Sequence, residues 1–221
     1  MEYNELIIGN EQFKKSYYKA HEKKFLELAE RGQNPKTLYI GCSDSRVIPD
    51  LITKSAPGDL FVVRNVGNLV APFSPDEDFH STASAIEYSV SVLGVKNIII
   101  CGHTQCGAIE AIFDKDKLNV PELIHTKKWL TLAEAPKAQA LLALGSDASM
   151  EALHRLTEKL SVIAQLENLL TYPSVRQGVD NGDISIHGWL FDLKTGEIHY
   201  YNPEISQFEP ISKLASEINN N

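Results

Sequence analysis

Apolar residues recur at three- and four-residue spacing early in the chain. In residues 11–32, EQFKKSYYKAHEKKFLELAERG, the set Phe13, Tyr17, Ala20 and then Leu28 shares one face, and Gly32 ends the run. That pattern predicts a helix, and its many charges predict a half-exposed arm. The period then changes. Thr37 to Gly41 carries Leu38-Tyr39-Ile40 and predicts a short strand ending at Cys42. Leu60 to Val66, with Phe61, Val62 and Val63, predicts a second strand. Residues 80–94 read as a helix closed by Gly94. Asn97 to Cys101 is a third strand, so continuously apolar that it should be buried on both faces. Cys106 to Phe113 opens another helix. Residues 121–144 and 148–170 follow as helices, with Gly145-Ser146-Asp147 between them. Ile184 to Leu193 alternates as a strand. Lys194-Thr195-Gly196 then predicts a hairpin turn into Glu197–Tyr201, so the last two strands should pair antiparallel.

Strands alternating with helices predict an α/β fold: a mainly parallel central sheet with an antiparallel edge strand, flanked by helices, with an N-terminal helical arm. We expect one domain over 1–221, with 1–32 as the arm. In such sheets, sites form beyond the carboxyl ends of strands where the strand order switches. The first and third strands end at Cys42 and at the Gly102-His103 corner, and their tips meet if the two strands are neighbours.

Composition narrows the function classes. The chain has 221 residues, 43% hydrophobic and 23% charged, enough for one ordinary core. Its formal net charge is -8 and it has no basic run, which argues against nucleic acid as a partner. The apolar runs are too short to span a bilayer. The start, MEYNELIIGN, has no basic segment followed by a long apolar one, so the expected location is the cytoplasm. The cysteines are Cys42, Cys101 and Cys106. An odd count in a chain of this kind argues against a disulfide framework and for ligands or nucleophiles.

His103-Thr104-Gln105-Cys106 sets an imidazole and a thiol three apart at a strand-to-helix corner. Cys106 would sit at a helix N-terminus, where the dipole favours thiolate. His-x-x-Cys alone is a weak signal, and a buried thiol beside a hydrogen-bonded histidine is its plain alternative. Cys42 gains meaning through the strand tips. Two cysteines and a histidine suit zinc, and three protein donors leave one position open, as in catalytic sites. Cys101 ends the Ile-Ile-Ile run and reads as a small buried hydrophobe. Beside Cys42 stand Asp44 and Arg46, and the guanidinium fork can hold the carboxylate bidentately.

These residues match a family. Cys42-Ser43-Asp44-Ser45-Arg46-Val47-Ile48-Pro49 resembles the first signature of the β-class carbonic anhydrases. Glu87-Tyr88 followed by Ile98-Ile99-Ile100-Cys101-Gly102-His103-Thr104-Gln105-Cys106-Gly107 resembles the second. Phe61-Val62-Val63-Arg64-Asn65-Val66-Gly67-Asn68 and His187-Gly188-Trp189 are similar to further elements of that family. The resemblance runs from about Gln33 to Asp192. Departures such as Ser89 for alanine and Ala108 for glycine remove no functional group.

The resemblance implies reversible hydration of carbon dioxide to bicarbonate and a proton by hydroxide on zinc. It assigns one Zn2+ per chain to Cys42, His103 and Cys106, and a catalytic dyad to Asp44 and Arg46. It implies that Gln33 hydrogen-bonds substrate. Phe61 and Tyr88 would line an apolar pocket with Val66, the aromatics contributed across the interface of a homodimer or homotetramer. Some bacterial members close when their aspartate moves onto zinc, aided by a tryptophan before the cysteine motif. Here that position is Tyr39, so the open form, with Asp44 on Arg46, is expected. Two other functions fit the same pattern: hydrolysis of another small heterocumulene such as carbonyl sulfide or carbon disulfide, and a non-catalytic zinc module.

Overall fold

The computed structural model describes residues 2–76, 78–145 and 147–219, with Lys115 and Asn219 described in backbone only. Ser146, in the predicted Gly145–Asp147 link, lies outside the described residues.

Six strands form one sheet: β1 Thr37–Cys42, β2 Leu60–Asn65, β3 Asn97–His103, β4 Ser185–Phe191, β5 Ile198–Asn202 and β6 Gln207–Pro210. Their order is β2-β1-β3-β4-β5-β6. β2, β1, β3 and β4 run parallel, and β5 and β6 are antiparallel. The fold is therefore the expected mainly parallel α/β sheet, with two antiparallel pairings at one side, β4 with β5 and β5 with β6, instead of one. β6 escaped prediction because it is short and carries Glu209 and Pro210, the composition of an edge rather than of a core strand.

The helices are α1 Tyr3–Phe13, α2 Glu22–Arg31, α3 Pro49–Thr53, α4 Ser81–Ser91, α5 Gly107–Phe113, α6 Lys115–Leu118, α7 Ile124–Leu130, α8 Glu134–Leu144, α9 Met150–Leu169, α10 Pro173–Asp180 and α11 Ile211–Asn219. The arm starts earlier than its periodicity indicated, at Tyr3, and passes through a π-helical turn at Lys14–Tyr18 before α2. The predicted helix 121–144 divides into α7 and α8. Pro136, which has no N–H to donate, sits in the first turn of α8, where that loss is tolerated.

Both faces of β3 are covered, as its apolar run requires. Leu38, Ile40, Ile98 and Ile100 pack with Val162, Leu166 and Leu169 of α9. Tyr39, Ile99 and Cys101 pack on the other face with Val47, Phe191 and Ile198. The long α9 lies close on β3 and β4 because glycines face it. A Cβ on Gly102 would lie 2.7 Å from Val162 Cγ2, and one on Gly188 would lie 2.9 Å from Val162 Cγ1. The arm is different: no residue of α1, of the π-helical turn or of α2 is buried. Among the described residues, no helix is long and apolar enough to cross a membrane.

Candidate metal centre

The parallel pairing of β1 with β3 brings their carboxyl ends together, Gly41 opposite Cys101. Cys42 leaves the tip of β1, His103 ends β3, and Cys106 precedes the first turn of α5. All three are buried, and their ligand atoms lie within 4.8 Å of one another. His103 Nδ1 is 2.9 Å from the Thr104 carbonyl oxygen. That bond makes Nδ1 the N–H donor and leaves the lone pair on Nε2. Nε2 is buried and has no hydrogen-bond partner. An orphaned imidazole nitrogen beside two thiols fits a soft-to-borderline divalent cation, and the donor set is that of zinc. The three residues are thus positioned to bind a metal ion.

The surroundings prepare one of the two thiols, Cys42, as thiolate. The Cys106 thiol beside it, the His103 ring and the N–H groups of Asp44 and Gly67 favour thiolate at Cys42 and lower its pKa. Cys106 faces that sulfur, is deeply buried, and is shifted upward. Gly67 donates its N–H to Cys42 Sγ at 3.4 Å from a turn with φ of 81°, a left-handed conformation that glycine adopts without strain. Cys101 is buried and burial pushes its thiol up to about 12, the behaviour of an inert core cysteine.

Asp44 and Arg46 form a bidentate pair. Asp44 Oδ1 accepts from Arg46 Nε at 2.9 Å and from the Arg46 backbone N–H at 3.0 Å, and Oδ2 accepts from Nη2 at 2.6 Å. These bonds hold the Asp44 carboxyl well below the usual carboxylate range. Arg46 Nη2 also donates to the Gln105 carbonyl at 3.0 Å. Arg64 fixes the loop from the other side, donating to the Cys42 carbonyl at 3.0 Å and to the Asp44 carbonyl at 2.7 Å.

The remaining predicted residues divide. Val66 follows the tip of β2, is partly exposed, and its carbonyl accepts from Trp129 Nε1 at 2.8 Å. Phe61 and Tyr88 contact each other, ring centroids 6.0 Å apart. Phe61 is opposite Leu38, whereas Asn65 is opposite Cys42. Phe61 is therefore four residues from the cluster end of β2, about 13 Å at about 3.3 Å per residue. Gln33 is exposed on the link between arm and sheet, and no hydrogen bond ties it to the cluster.

Glu158 of α9 was not read as part of the site. It is 3% exposed, and its Oε1 accepts from the Cys106 backbone N–H at 3.0 Å. Arg155 Nη1 lies 2.8 Å from its Oε2. Burial pushes its carboxyl up to about 7. In sequence it looks like one of several acidic residues on a charged helix. Only its place in the α9 period, one residue from buried Thr157 and three from Ser161, marks it as inward-facing.

A carbonic anhydrase family model matches residues 37–198. The chain is 41% identical over 194 residues to a carbonic anhydrase of Pseudomonas aeruginosa, covering 88% of this chain and 85% of that protein. The solved beta-carbonic anhydrase CcaA superposes with a TM-score of 0.87 at 35% identity, covering 94% of this chain and 98% of that one. A structure from work on two tetrameric beta-carbonic anhydrases of Sordaria macrospora gives 0.78 at 28% identity, covering 90% of this chain and 95% of that one. With the donor cluster at the strand tips, a match spanning both the sequence signatures and the sheet that carries them means that the chain belongs to the β-class carbonic anhydrases.

Proposed function

We propose that this chain is a zinc enzyme that reversibly hydrates carbon dioxide to bicarbonate and a proton. The observation that carries the reading is a three-donor cluster with an orphaned His103 Nε2, set beside a carboxylate already bound by its own arginine. Cys42, His103 and Cys106 would hold the zinc, which would supply the Lewis acidity that activates water. Asp44 accepts a hydrogen bond from the attacking oxygen and so aims its lone pair at the substrate carbon. Arg46 keeps Asp44 in that role and away from the metal. A non-catalytic zinc module would use a fourth protein donor, and the buried Cys42–His103–Cys106 group has three.

The pocket is completed by a second copy. Gln33 polarises a substrate oxygen as negative charge develops there, and Phe61 and Tyr88 form an apolar wall for an uncharged linear substrate. Phe61 and Tyr88 serve the site of the neighbouring subunit, since Phe61 is remote from its own cluster and Tyr88 packs against it. Tyr3, Leu6 and Ile7 share one face of α1 and, with Ile8 beside them, are all at least half exposed, an apolar surface that a homodimer or homotetramer covers. We read the whole chain as one domain with a 1–32 arm, working in the cytoplasm.

Stopped-flow hydration of carbon dioxide by the zinc-loaded protein tests the reading. Rapid hydration is expected, abolished by removing zinc. A zinc-loaded protein no faster than buffer would defeat it.

A further inference from the structure

The peptide between Gln105 and Cys106 is gripped at both ends. Arg46 Nη2 donates to its carbonyl oxygen at 3.0 Å, and Glu158 Oε1 accepts from its N–H at 3.0 Å. Gln105 has a φ of 57°, in the left-handed region that a non-glycine residue adopts at a cost. A strained backbone persists only where its surroundings over-determine it. Here one grip comes from the dyad and the other from a buried carboxylate on α9, itself met by Arg155.

We propose that Glu158 is a positioning residue for the Asp44–Arg46 dyad, acting through the 105–106 peptide. Arg46 has one Nη2 hydrogen on Asp44 and the other on the Gln105 carbonyl. The orientation of that carbonyl therefore helps to set where the guanidinium, and with it Asp44, stands. Glu158 fixes the carbonyl by holding the N–H of the same planar group. Without an acceptor behind it, the N–H is buried and unpaired, and the strained corner has reason to rotate. Arg46 then loses its third acceptor and the carboxylate loses its fixed aim.

Two variants separate this role from simple structural support. Glu158→Gln keeps an oxygen acceptor for the Cys106 N–H, and Glu158→Met removes it at similar size. The full chain, zinc-loaded, is assayed for zinc content, for hydrogen exchange at the Cys106 amide and for kcat/KM in carbon dioxide hydration. Each variant is also made on an Arg46→Ala background. Glu158→Gln is expected to keep amide protection and kcat/KM near wild type. Glu158→Met should raise Cys106 amide exchange by on the order of tenfold or more. It should retain zinc and lower kcat/KM by about 10- to 100-fold. On Arg46→Ala it should add almost no further loss, because its effect runs through that side chain. Wild-type exchange and activity in Glu158→Met, or an equal loss on both backgrounds, would overturn the proposal. Should Glu158→Met fail to fold, Glu158→Gln decides alone: protection and activity retained support the clamp, and activity lost with protection intact overturns it. The inference rests on the dyad role proposed above. If Arg46→Ala alone proves fully active, that reading fails, while the amide exchange still tests the clamp.

Discussion

Asp44 Oδ2 lies 3.8 Å from His103 Nε2, yet the same oxygen is bound by Arg46 Nη2 at 2.6 Å. The carboxylate stands within a short side-chain movement of the donor cluster and is held back from it. One guanidinium thus separates the role proposed for it, working acceptor, from that of a blocking ligand.

Removing either partner should break that separation. Asp44→Asn and Arg46→Ala are expected to keep one zinc per chain and to lose activity by about 100-fold, the order of effect of a misaimed reacting group. Parallel measurement of zinc content and stopped-flow rate checks this. Near-normal activity in either variant would remove the dyad from the mechanism.

Each donor should matter for the metal itself. Cys42→Ser and Cys106→Ser are expected to purify with far less than one zinc per chain. Cys101→Ser should keep its zinc, because that thiol is walled into the Tyr39–Ile99 core. Elemental analysis is the measurement, and a Cys42→Ser protein with full zinc would contradict the assignment.

The arm should hold copies together. Light scattering at micromolar concentration is expected to give a dimer or larger. Ile7→Glu combined with Ile8→Glu should shift the population towards monomer and reduce activity, since the Phe61 and Tyr88 contributions then disperse. An active monomer would show that each chain completes its own pocket.

Acid stability should respond to Glu209. Hydrogen bonds from Asn202, Lys213 and Tyr200 lower its pKa to about 2. A folded-state pKa below the unfolded value means that the unfolded chain takes up the proton first. The stabilisation is therefore complete above the ordinary carboxylate range and is lost as pH falls from there towards 2. Glu209→Gln should flatten the fall of the thermal midpoint between about pH 5 and pH 3. An unchanged slope would mean that other carboxylates govern acid unfolding.

What could be read from the sequence follows from how local each signal is. The Leu38–Ile40 and Ile98–Ile100 runs announced β1 and β3, because a strand covered on both faces has no polar phase. Cys42 and His103 were legible because they end those strands, and Cys106 because it stands three residues on, at the start of the next helix. The 3.6-residue period also showed α9, but not that Glu158 reaches back to Cys106, 52 residues away. Nothing in a residue's type reports which backbone N–H it will meet. The Gln105–Cys106 clamp is invisible for the same reason: its working atoms are main-chain atoms. α10 was missed because it is a short helix just beyond the end of α9, with two turns of mixed character. The offset of Phe61 from the cluster emerges only from strand register, which pairs it with Leu38.

The parallel pairing of β1 with its two neighbours has a kinetic consequence. Cys42 and His103 are separated by 61 residues (103 − 42), and parallel neighbours cannot be joined by a tight turn. Large loops must close before the donors meet, unlike a zinc finger whose ligands are near one another in sequence. The cation is consequently expected to bind a finished sheet rather than to nucleate one. It should act as a latch, slowing the opening of the completed fold while leaving the rate of its formation almost unchanged.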